Sequence, residues 1–472
     1  MYILLAIFIF GLLIFIHELG HFLAARICGV HVLEFAIGMG PKLFSVTSKK
    51  TGTLYSIRLF PLGGYVSMLG ENGMEAVQGS NGENGEANIL INTEEPESDE
   101  EKSLFESEQT KEAEAQPAEP DMRSYSNQSV WRRMFISLAG PFMNVVLGFL
   151  LMLVFVVTTA VNNPLGTNQV AAFFVTYNAQ EEYGGLQEND YIHKVDGTLL
   201  QSYAQLEKLV AESESNRFSL EVRRLVTEGE TSRIENVILT DVFLDETILK
   251  EQFDYSLSEK TGLQVNDTVV KVNSTSVHTQ NELAYEIMNQ GWKDLNLTVI
   301  RNGQELVLED VQVPRFEDSG AAFGDVDFQV WAEKPAKEGG TMPSIGVLLK
   351  HSWFRSVSTI KMVYDSLVGL FTQRFGVEAV SGPVGITQTI STVAKTGFLN
   401  VLYLVVVISI NLGIMNLLPI PGLDGGHLLI YIIEAIRRKP MKKELEGMIN
   451  FIGLILLLTL AVLIAVKDII NL

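Results

Sequence analysis

The sequence contains a single cysteine, Cys28, among its 472 residues. One thiol cannot form an intramolecular disulfide, so a disulfide-stabilised fold is excluded, and a metal site built from cysteines is disfavoured. Basic residues are also scarce, because 35 lysines and arginines stand against 56 acidic residues, which gives a net charge of −21. A deficit of positive charge of this size argues against a nucleic-acid partner.

The N-terminal apolar run lacks the positively charged start of a cleavable signal peptide. It is one of four stretches that reach the length of about 20 residues needed to cross a bilayer as a helix. These stretches account for the high hydrophobic content of 47%. We therefore predict a polytopic α-helical membrane protein with transmembrane helices at 1–30, 131–161, 398–421 and 448–467.

The first of these stretches carries His17, Glu18 and His21. Residues four apart lie on one face of a helix, so both imidazoles can reach one ion. His-Glu-x-x-His is the arrangement of zinc proteases, in which the two histidines bind the metal and the glutamate acts as general base. Ionisable groups inside a membrane helix are costly and usually functional. The alternative is a histidine pair that only packs between helices.

A third metal ligand must come from elsewhere, because a catalytic zinc site takes three protein ligands and leaves one position open for water. Two prolines, Pro419 and Pro421, and three glycines interrupt the third predicted span near its end and expose an acid, Asp424, at membrane depth. Asp424 is the strongest candidate for the third ligand, and His427 is its competitor. His31 lies too far along the first helix to share the face of the histidine pair.

Between the first two predicted spans, the sequence predicts a β-hairpin at 38–70. Two β-like runs flank turn residues there, and Gly63, Gly64 and Tyr65 follow as an extended edge that can pair with an unwound peptide. A plain connecting hairpin is the alternative. Residues 71–121 contain 16 acidic residues and two lysines with few large apolar residues. This composition predicts a disordered acidic cytoplasmic insert at 71–125, either a solvated linker or a docking segment.

Residues 166–316 contain an internal duplication. The sequence Gly-Leu-Gln-x-Asn-Asp at 185–190 recurs at 262–267. Each copy continues into a helix with a capping box, Ser202 with Gln205 and Thr279 with Glu282, and then into a strand. The pattern resembles the PDZ fold, so we predict two PDZ-like α+β domains, at 166–243 and 244–316, that bind peptide ends by strand addition. Two spacer domains without a ligand are the alternative.

Apolar positions at helical spacing predict an amphipathic helix within 350–392, lying on the membrane surface or packed on the bundle, before a Gly-Pro-Val-Gly segment at 382–385. The loop 422–447 is rich in lysine and arginine, so the positive-inside rule places it in the cytoplasm. Counting back through the spans, the N-terminus and the PDZ-like pair are extracytoplasmic. His17 lies about 15 residues into its helix, or roughly 22 Å at 1.5 Å per residue, toward the cytoplasmic side.

Taken together, these motifs resemble the site-2 intramembrane metalloproteases, specifically the bacterial regulator-of-sigma-E protease branch. The matching segments are His-Glu-Leu-Gly-His at 17–21, Gly-Gly-Tyr-Val at 63–66, Gly-Pro-Phe-Met-Asn at 140–144, Gly-Pro-Val-Gly at 382–385 and the segment 416–425. The resemblance implies that His17, His21 and Asp424 hold Zn²⁺ and that Glu18 is the catalytic acid and base. It also implies that Asn416 helps to hold the substrate strand and that the hairpin is a membrane-reentrant element.

The resemblance further implies the substrates and the location. Members of that family cut single-span membrane proteins within the bilayer, usually after another protease has removed the outer domain, and their PDZ domains are thought to exclude substrates with bulky ectodomains. An anti-sigma factor or a signal-peptide remnant in the bacterial inner membrane fits this expectation. The acidic insert departs from the family pattern.

Cleavage requires the substrate helix to unwind, and we expect the extended strand to lie between the hairpin edge and the break that contains Asn416, Pro419 and Pro421. Two rival classes remain. A metal transporter would need ligands distributed across the membrane, whereas these ligands cluster at one depth. A catalytically inactive PDZ membrane scaffold would have no reason to keep the full set of metal ligands.

Overall fold

The computed structural model describes residues 2–71, 123–228, 231–290, 295–313, 328–332, 337, 339–372 and 381–470. Most of the predicted acidic insert at 71–125 therefore lies outside the described residues. The chain divides into two compact units, Met1–Gly148 together with Ser366–Leu472, and Phe149–Asp365. We refer to them as the first and second units.

The helices are α1 (Tyr2–Ile27), α2 (Val130–Asn162), α3 (Tyr203–Glu212), α4 (Glu246–Gln252), α5 (Leu257–Lys260), α6 (Gln280–Gln290), α7 (Ile345–Phe371), α8 (Pro383–Thr396), α9 (Phe398–Asn416), α10 (Asp424–Arg437) and α11 (Lys443–Ile470). The strands are β1 (Val32–Thr47), β2 (Leu54–Met68), β3 (Gly166–Phe173), β4 (Val175–Tyr177), β5 (Tyr191–Val195), β6 (Thr198–Leu199), β7 (Arg217–Glu228), β8 (Thr231–Phe243), β9 (Phe253–Tyr255), β10 (Thr268–Val272), β11 (Thr275–Ser276), β12 (Leu295–Arg301), β13 (Gln304–Val311) and β14 (Phe328–Ala332).

Four helices in the described part of the chain are long and apolar enough to cross a membrane: Leu4–Ile27, Val130–Asn162, Phe398–Asn416 and Glu444–Ile470. The four predicted spans are thus confirmed by length and composition. The third helix ends at Asn416 and not at the predicted residue 421. Proline lacks a backbone N–H and disfavours helical geometry in the residue before it, so Pro419 and Pro421 prevent α9 from continuing.

Glycines allow the membrane helices of the first unit to approach closely. A Cβ atom on Gly20 of α1 would lie 2.3 Å from the carbonyl oxygen of Ala139 on α2, and one on Gly413 of α9 would lie 2.8 Å from that of Pro141. Small residues at helix contacts are typical of membrane bundles, where close backbone packing replaces the hydrophobic effect as the source of affinity. Helices α1, α2 and α9 therefore form a tight core around residues 17–21.

The predicted hairpin begins earlier than expected, at Val32, directly after α1. Gly29, with φ at +79°, ends the helix, and the Val30 N–H donates to the carbonyl of Ala25 at 2.9 Å. Strands β1 and β2 pair antiparallel, and residues 34–37 pair both with 54–57 and with 64–67. Residues 34–37 therefore lie in the middle of a small sheet, and 64–67 form one of its edges.

The segment between α9 and α10 folds tightly against both helices that follow it. A Cβ atom on Gly425 would lie 2.2 Å from the carbonyl oxygen of Leu418, and one on Gly453 of α11 would lie 2.1 Å from that of Pro421. Only glycine fits such approaches. The packing places Asp424 in the first turn of α10, where the helix dipole favours a carboxylate.

The second unit contains two six-stranded sheets. One has the order β8-β7-β5-β4-β9, with β6 beside β5, and the other has the order β13-β12-β10-β3-β14, with β11 beside β10. The predicted cap pairs are confirmed: the Gln205 N–H donates to Ser202 Oγ at 3.1 Å, and the Glu282 N–H donates to Thr279 Oγ1 at 3.5 Å.

The duplication is visible in atomic detail. Arg224 donates through Nε and Nη2 to the buried Asp190 carboxylate at 2.8 and 2.6 Å. Arg301 makes the same two bonds with Asp267 at 2.7 and 2.6 Å. Each arginine also donates to the carbonyl of the glycine that opens its repeat. The repeated sequence therefore specifies one structural unit, used twice.

The strands of the two sheets are not separated at the predicted domain boundary between residues 243 and 244. Strand β3 precedes the first repeat but pairs with β10 of the second, while β9, beyond that boundary, pairs with β4 in the sheet of the first. Only Phe174 separates β3 from β4. The chain therefore passes from one sheet to the other at this residue, and the two repeats share their strands.

The predicted amphipathic helix is α7, which begins at Ile345. Its Lys361 ammonium lies 3.0 Å from the Glu286 carboxylate of α6, and the Tyr285 hydroxyl donates to Asp365 at 2.7 Å. Polar residues of α7 thus attach it to the helix of the second repeat. The following Gly-Pro-Val-Gly segment begins α8, and Asp468 of α11 accepts hydrogen bonds at 2.9 Å from the N–H groups of Gly382 and Gly385.

Candidate metal centre

The structure brings His17, His21 and Asp424 together in the first unit, and they form the one group of metal-ligating side chains identified among the described residues. The two Nε2 atoms are 3.2 Å apart. Asp424 Oδ2 lies 3.1 Å from His17 Nε2, and Asp424 Oδ1 lies 3.4 Å from His21 Nε2. The three side chains therefore surround a common centre.

These separations fit a tetrahedral zinc ion. Zinc binds nitrogen and oxygen at about 2.0–2.1 Å, and two ligands at that distance in a tetrahedron lie about 3.3 Å apart. The two Nε2 atoms are 3.2 Å apart, and they lie 3.1 and 3.4 Å from the two different oxygens of the Asp424 carboxylate. The residues present therefore fit zinc in spacing as well as in chemistry, with three protein ligands and one free position.

The second nitrogen of His21 prepares the ring for metal binding. His21 Nδ1 lies 2.8 Å from the carbonyl oxygen of Ile136. A carbonyl only accepts, so Nδ1 must carry the proton and the lone pair of Nε2 is left for the ion. A backbone or carboxylate partner of this kind is the usual device that orients a ligating histidine.

Asn144 plays the corresponding part for His17. Its side-chain amide lies 3.2 Å from His17 Nδ1 through Nδ2, and its Oδ1 is buried without a partner. A rotation of the amide by half a turn places Oδ1 against a protonated Nδ1, which pairs the buried oxygen and leaves Nε2 free for a metal. In that orientation His17 has the protonation state that metal binding requires.

Replacing Asn144 with leucine is expected to lower zinc affinity about 10- to 100-fold, the usual cost of removing a partner of a ligating histidine. Competition with a chelator of known affinity would measure it. Asn162→Leu, at the exposed end of the same helix, is the matched control and should bind zinc as the wild type does. Unchanged affinity in Asn144→Leu would show that this amide does not orient His17.

Glu18 lies beside the three ligands. It lines a cavity of about 630 Å³ together with His17, His21 and Asp424. On its other side the hairpin approaches, because a Cβ atom on Gly64 would lie 3.1 Å from Glu18 Cγ. The Glu18 side chain thus lines the cavity of the ligands and approaches the hairpin edge.

The other sequence-predicted residues divide into two groups. Tyr65 and Asn416 line the same cavity as the ligands. Pro419 and Pro421 are not among its lining residues in the described chain, and Pro421 packs against Gly453 instead. His427 lines the cavity beyond Asp424, with Nδ1 3.7 Å from Glu446 Oε1, and it is not part of the ligand group.

Sequence reasoning assigned no role in the site to a polar group that joins α2 to α10. Arg133 Nη2 donates to the buried Glu434 carboxylate at 2.7 Å, and its guanidinium lies over the ring of Tyr431. The hydroxyls of Tyr125 and Tyr431 are 2.9 Å apart. Arg133 and Glu434 are 301 residues apart in the chain, so no local pattern could pair them.

Comparison with known proteins finds similarity over nearly the whole chain. The profile of peptidase family M50 matches residues 5–460. The zinc metalloprotease RasP of Bacillus licheniformis is 29% identical over 478 residues, covering 98% of this chain and 97% of the relative. The regulator of sigma-W protease RasP of Bacillus subtilis is 28% identical over 500 residues, with the same coverage. The regulator of sigma E protease of Haemophilus influenzae is 27% identical over 487 residues, also covering 98% and 97%.

Proposed function

The chain belongs to peptidase family M50, and on that premise we propose that it is an intramembrane zinc metalloendopeptidase. Its substrates are single-span membrane proteins, cut within the transmembrane segment. The observation that carries this proposal is the ligand cluster of His17, His21 and Asp424, two of whose members lie on a helix long and apolar enough to span a bilayer. Glu18 lies between those two on the same helix.

The residues of the site have separate roles in the proposed reaction. His17 and His21 through Nε2, with the Asp424 carboxylate, hold the zinc, which when bound supplies Lewis acidity toward the scissile carbonyl and the attacking water. Glu18 takes the proton of the attacking water and passes it to the leaving amine as the peptide bond breaks. The Ile136 carbonyl and Asn144 keep the imidazoles in the orientation that binding requires.

The hairpin supplies the surface for the substrate strand. A transmembrane helix shields its own amides, so the segment to be cut must first unwind and find new partners for its N–H and C=O groups. The edge formed by Gly63, Gly64 and Tyr65 offers such partners beside Glu18. Asn416 lines the same cavity, next to the break that contains Pro419 and Pro421.

The direct test uses purified protein in detergent and a single-span substrate with a truncated ectodomain. Mass spectrometry of the products would locate the bond that is cut. We expect one bond within the transmembrane segment, cut only by the zinc-loaded protein. Cleavage confined to a loop outside that segment, or no cleavage across a panel of such substrates, would contradict the proposal.

The substrate class is proposed from the relatives. Two of them are named as regulators of sigma-factor pathways, which supports an anti-sigma factor as substrate; a signal-peptide remnant is chemically equivalent. The repeats at 166–316 are proposed to be PDZ-like domains that bind peptide ends or exclude substrates with large ectodomains. If they exclude by size, restoring a folded ectodomain to the test substrate should stop cleavage in detergent.

A metal transporter is the rival that the same ligands suggest. It would need ion ligands at several depths, but among the described residues one metal-type cluster is identified. Zinc uptake by proteoliposomes containing Glu18→Gln would favour the transporter, since that variant keeps the ligands and lacks the base.

The proposed location is the bacterial inner membrane. Residues 437–443 carry five of the chain's basic residues, which supports a cytoplasmic loop between α10 and α11. The N-terminus and the repeats then lie outside, and the hairpin and the acidic insert inside.

The single cysteine makes this topology easy to test. In a Cys28→Ser background we expect a membrane-impermeant maleimide to label Lys208→Cys, on the exposed face of α3, from outside intact cells. Lys442→Cys, in the basic loop, should be labelled only after the membrane is opened. Both lysines are exposed, so the protein itself does not shield either position from the maleimide. The reverse pattern would invert the proposed orientation.

A further inference from the structure

The hairpin carries a charged cluster in a largely apolar surface. Seven of its large apolar side chains are exposed, namely Met39, Leu43, Phe44, Val46, Tyr55, Ile57 and Leu59. Within this surface Glu34 and Arg58 form an ion pair with side chains only 15% and 17% exposed. Desolvating two charges costs several kcal/mol per ion, and a buried pair often contributes little net stability. The pair therefore calls for a function other than stabilisation.

Both oxygens of the Glu34 carboxylate and both terminal nitrogens of the Arg58 guanidinium are hydrogen-bonded across strands, whereas Arg58 Nε is buried without a partner among the described residues. Glu34 Oε1 accepts from Ser56 Oγ at 2.6 Å and from Arg58 Nη2 at 2.9 Å. Glu34 Oε2 accepts from the Tyr65 hydroxyl at 2.8 Å. Arg58 donates to that hydroxyl as well, lies over the Tyr65 ring, and donates through Nη1 to the carbonyl of Gly40 at 2.8 Å. One carboxylate thus connects three segments of the sheet.

The directions of the pKa shifts of Glu34 and Tyr65 agree with these hydrogen bonds. Burial by itself raises the pKa of the Glu34 carboxyl, but the hydrogen bonds from Ser56, Arg58 and Tyr65 outweigh it and hold the pKa below its usual value. Burial and the Glu34 carboxylate raise the pKa of Tyr65 to about 12. Tyr65 therefore stays protonated and donates, while Glu34 stays ionised and accepts.

The position of Tyr65 connects the cluster to the reaction. Tyr65 belongs to the edge segment 64–67, which pairs with 34–37, and it lines the cavity of the metal ligands. Its neighbour Gly64 lies directly against Glu18. Glu34 and Arg58 do not line that cavity in the described chain, so they act on it through Tyr65.

We propose that Glu34 and Arg58 are positioning residues that hold the Tyr65 edge in register with Glu18 and so select which bond of the bound strand is cut. This inference rests on the proposed protease function. A substrate strand paired with the edge can slip, and a slip of two residues keeps its side chains on the same faces, whereas a slip of one reverses them. Loosening the edge therefore favours a second cut two residues from the first.

The test is product mapping by mass spectrometry with Arg58→Met and Glu34→Gln. We expect kcat/KM to fall about 10- to 100-fold, as for a small misplacement of reacting groups, with a new cut two residues away and unchanged zinc content. Arg58→Lys keeps the charge beside Glu34 and should restore most of the preference for one bond. Slower cleavage at the single original bond would overturn the proposal, because the pair would then only stabilise the fold.

The chain offers a matched control in Arg133→Met. Arg133 also pairs with a buried glutamate, Glu434 at 2.7 Å, and lies over a tyrosine of the same cavity, Tyr431, but it has no contact with the hairpin edge among those described. This variant should lower thermal stability and keep the original bond. A new cut there would show that loss of stability alone shifts the site.

Hydrogen exchange separates this inference from the protease proposal. In zinc-loaded protein without substrate, Arg58→Met should speed exchange of the amides at 64–68 at least tenfold, while Arg133→Met should leave them unchanged. If the wild type cuts no substrate, the protease proposal fails, yet exchange still reports whether the pair holds the edge. Unchanged exchange in Arg58→Met would overturn the positioning role by itself.

Discussion

Glu18→Gln is expected to lose peptide-bond hydrolysis and to keep its zinc. The amide is nearly isosteric with the carboxylate but cannot accept the proton of the attacking water, and general-base catalysis typically contributes about 10²–10⁴-fold. The metal ligands are untouched, because zinc is held by His17, His21 and Asp424. The experiment measures kcat with a single-span substrate and zinc content on the same preparation.

The control for charge is Glu446→Gln, which alters another acid that lines the same cavity. It should keep most of the activity, because Glu446 lies beside His427 and not beside the ligands. His21→Ala should differ from Glu18→Gln, because it removes a metal ligand and should lose zinc and activity together. Hydrolysis at the wild-type rate by a zinc-replete Glu18→Gln would remove Glu18 from the mechanism, and an equal loss in Glu446→Gln would assign the effect to the cavity's charge.

Gly140→Ala is expected to lose zinc, although residue 140 touches no metal. A Cβ atom there would lie 2.3 Å from His21 Nε2 and within 2.8 Å of two ring carbons. The ring cannot move away without breaking the bond from Nδ1 to the Ile136 carbonyl. We expect zinc affinity to fall by about 10²-fold, as for loss of a group that orients a ligand, with activity falling in parallel at limiting zinc.

Gly148→Ala on the same helix is the matched control. A Cβ atom at Gly148 would lie 2.6 Å from Ile410 Cγ1, a buried apolar side chain that is not one of the metal-ligating residues. Gly148→Ala therefore disturbs helix packing without touching a ligand and should bind zinc normally, so any difference between the variants comes from the His21 ring and not from helix packing. Excess zinc should partly restore Gly140→Ala, whereas wild-type affinity in that variant would show that the site adjusts freely.

Much of the architecture follows from patterns that a sequence shows locally. The pair His17 and His21 shares a helix face because four residues make about one turn, and this holds whatever surrounds the helix. Length and apolar content alone predicted four membrane spans. The duplication that begins at residues 185 and 262 could be predicted because each copy repeats the same local signals, including the capping box. Each of these features depends on neighbours in the chain.

The tertiary structure alone decided what depends on distant partners. Asp424 joins the histidines while His427 does not, because Gly425 and Gly453 pack the start of α10 against the preceding loop and α11. The exchange of β3 and β9 between the two sheets left no local trace, since the residues of a strand do not specify which of two sheets it joins. The hydrogen bonds that join Asn144 to His17 and Arg58 to Tyr65 likewise depend on tertiary packing, which no local pattern of residues predicts. Periodicity reports which face of an element is buried, but which partner covers that face depends on how all the elements pack together.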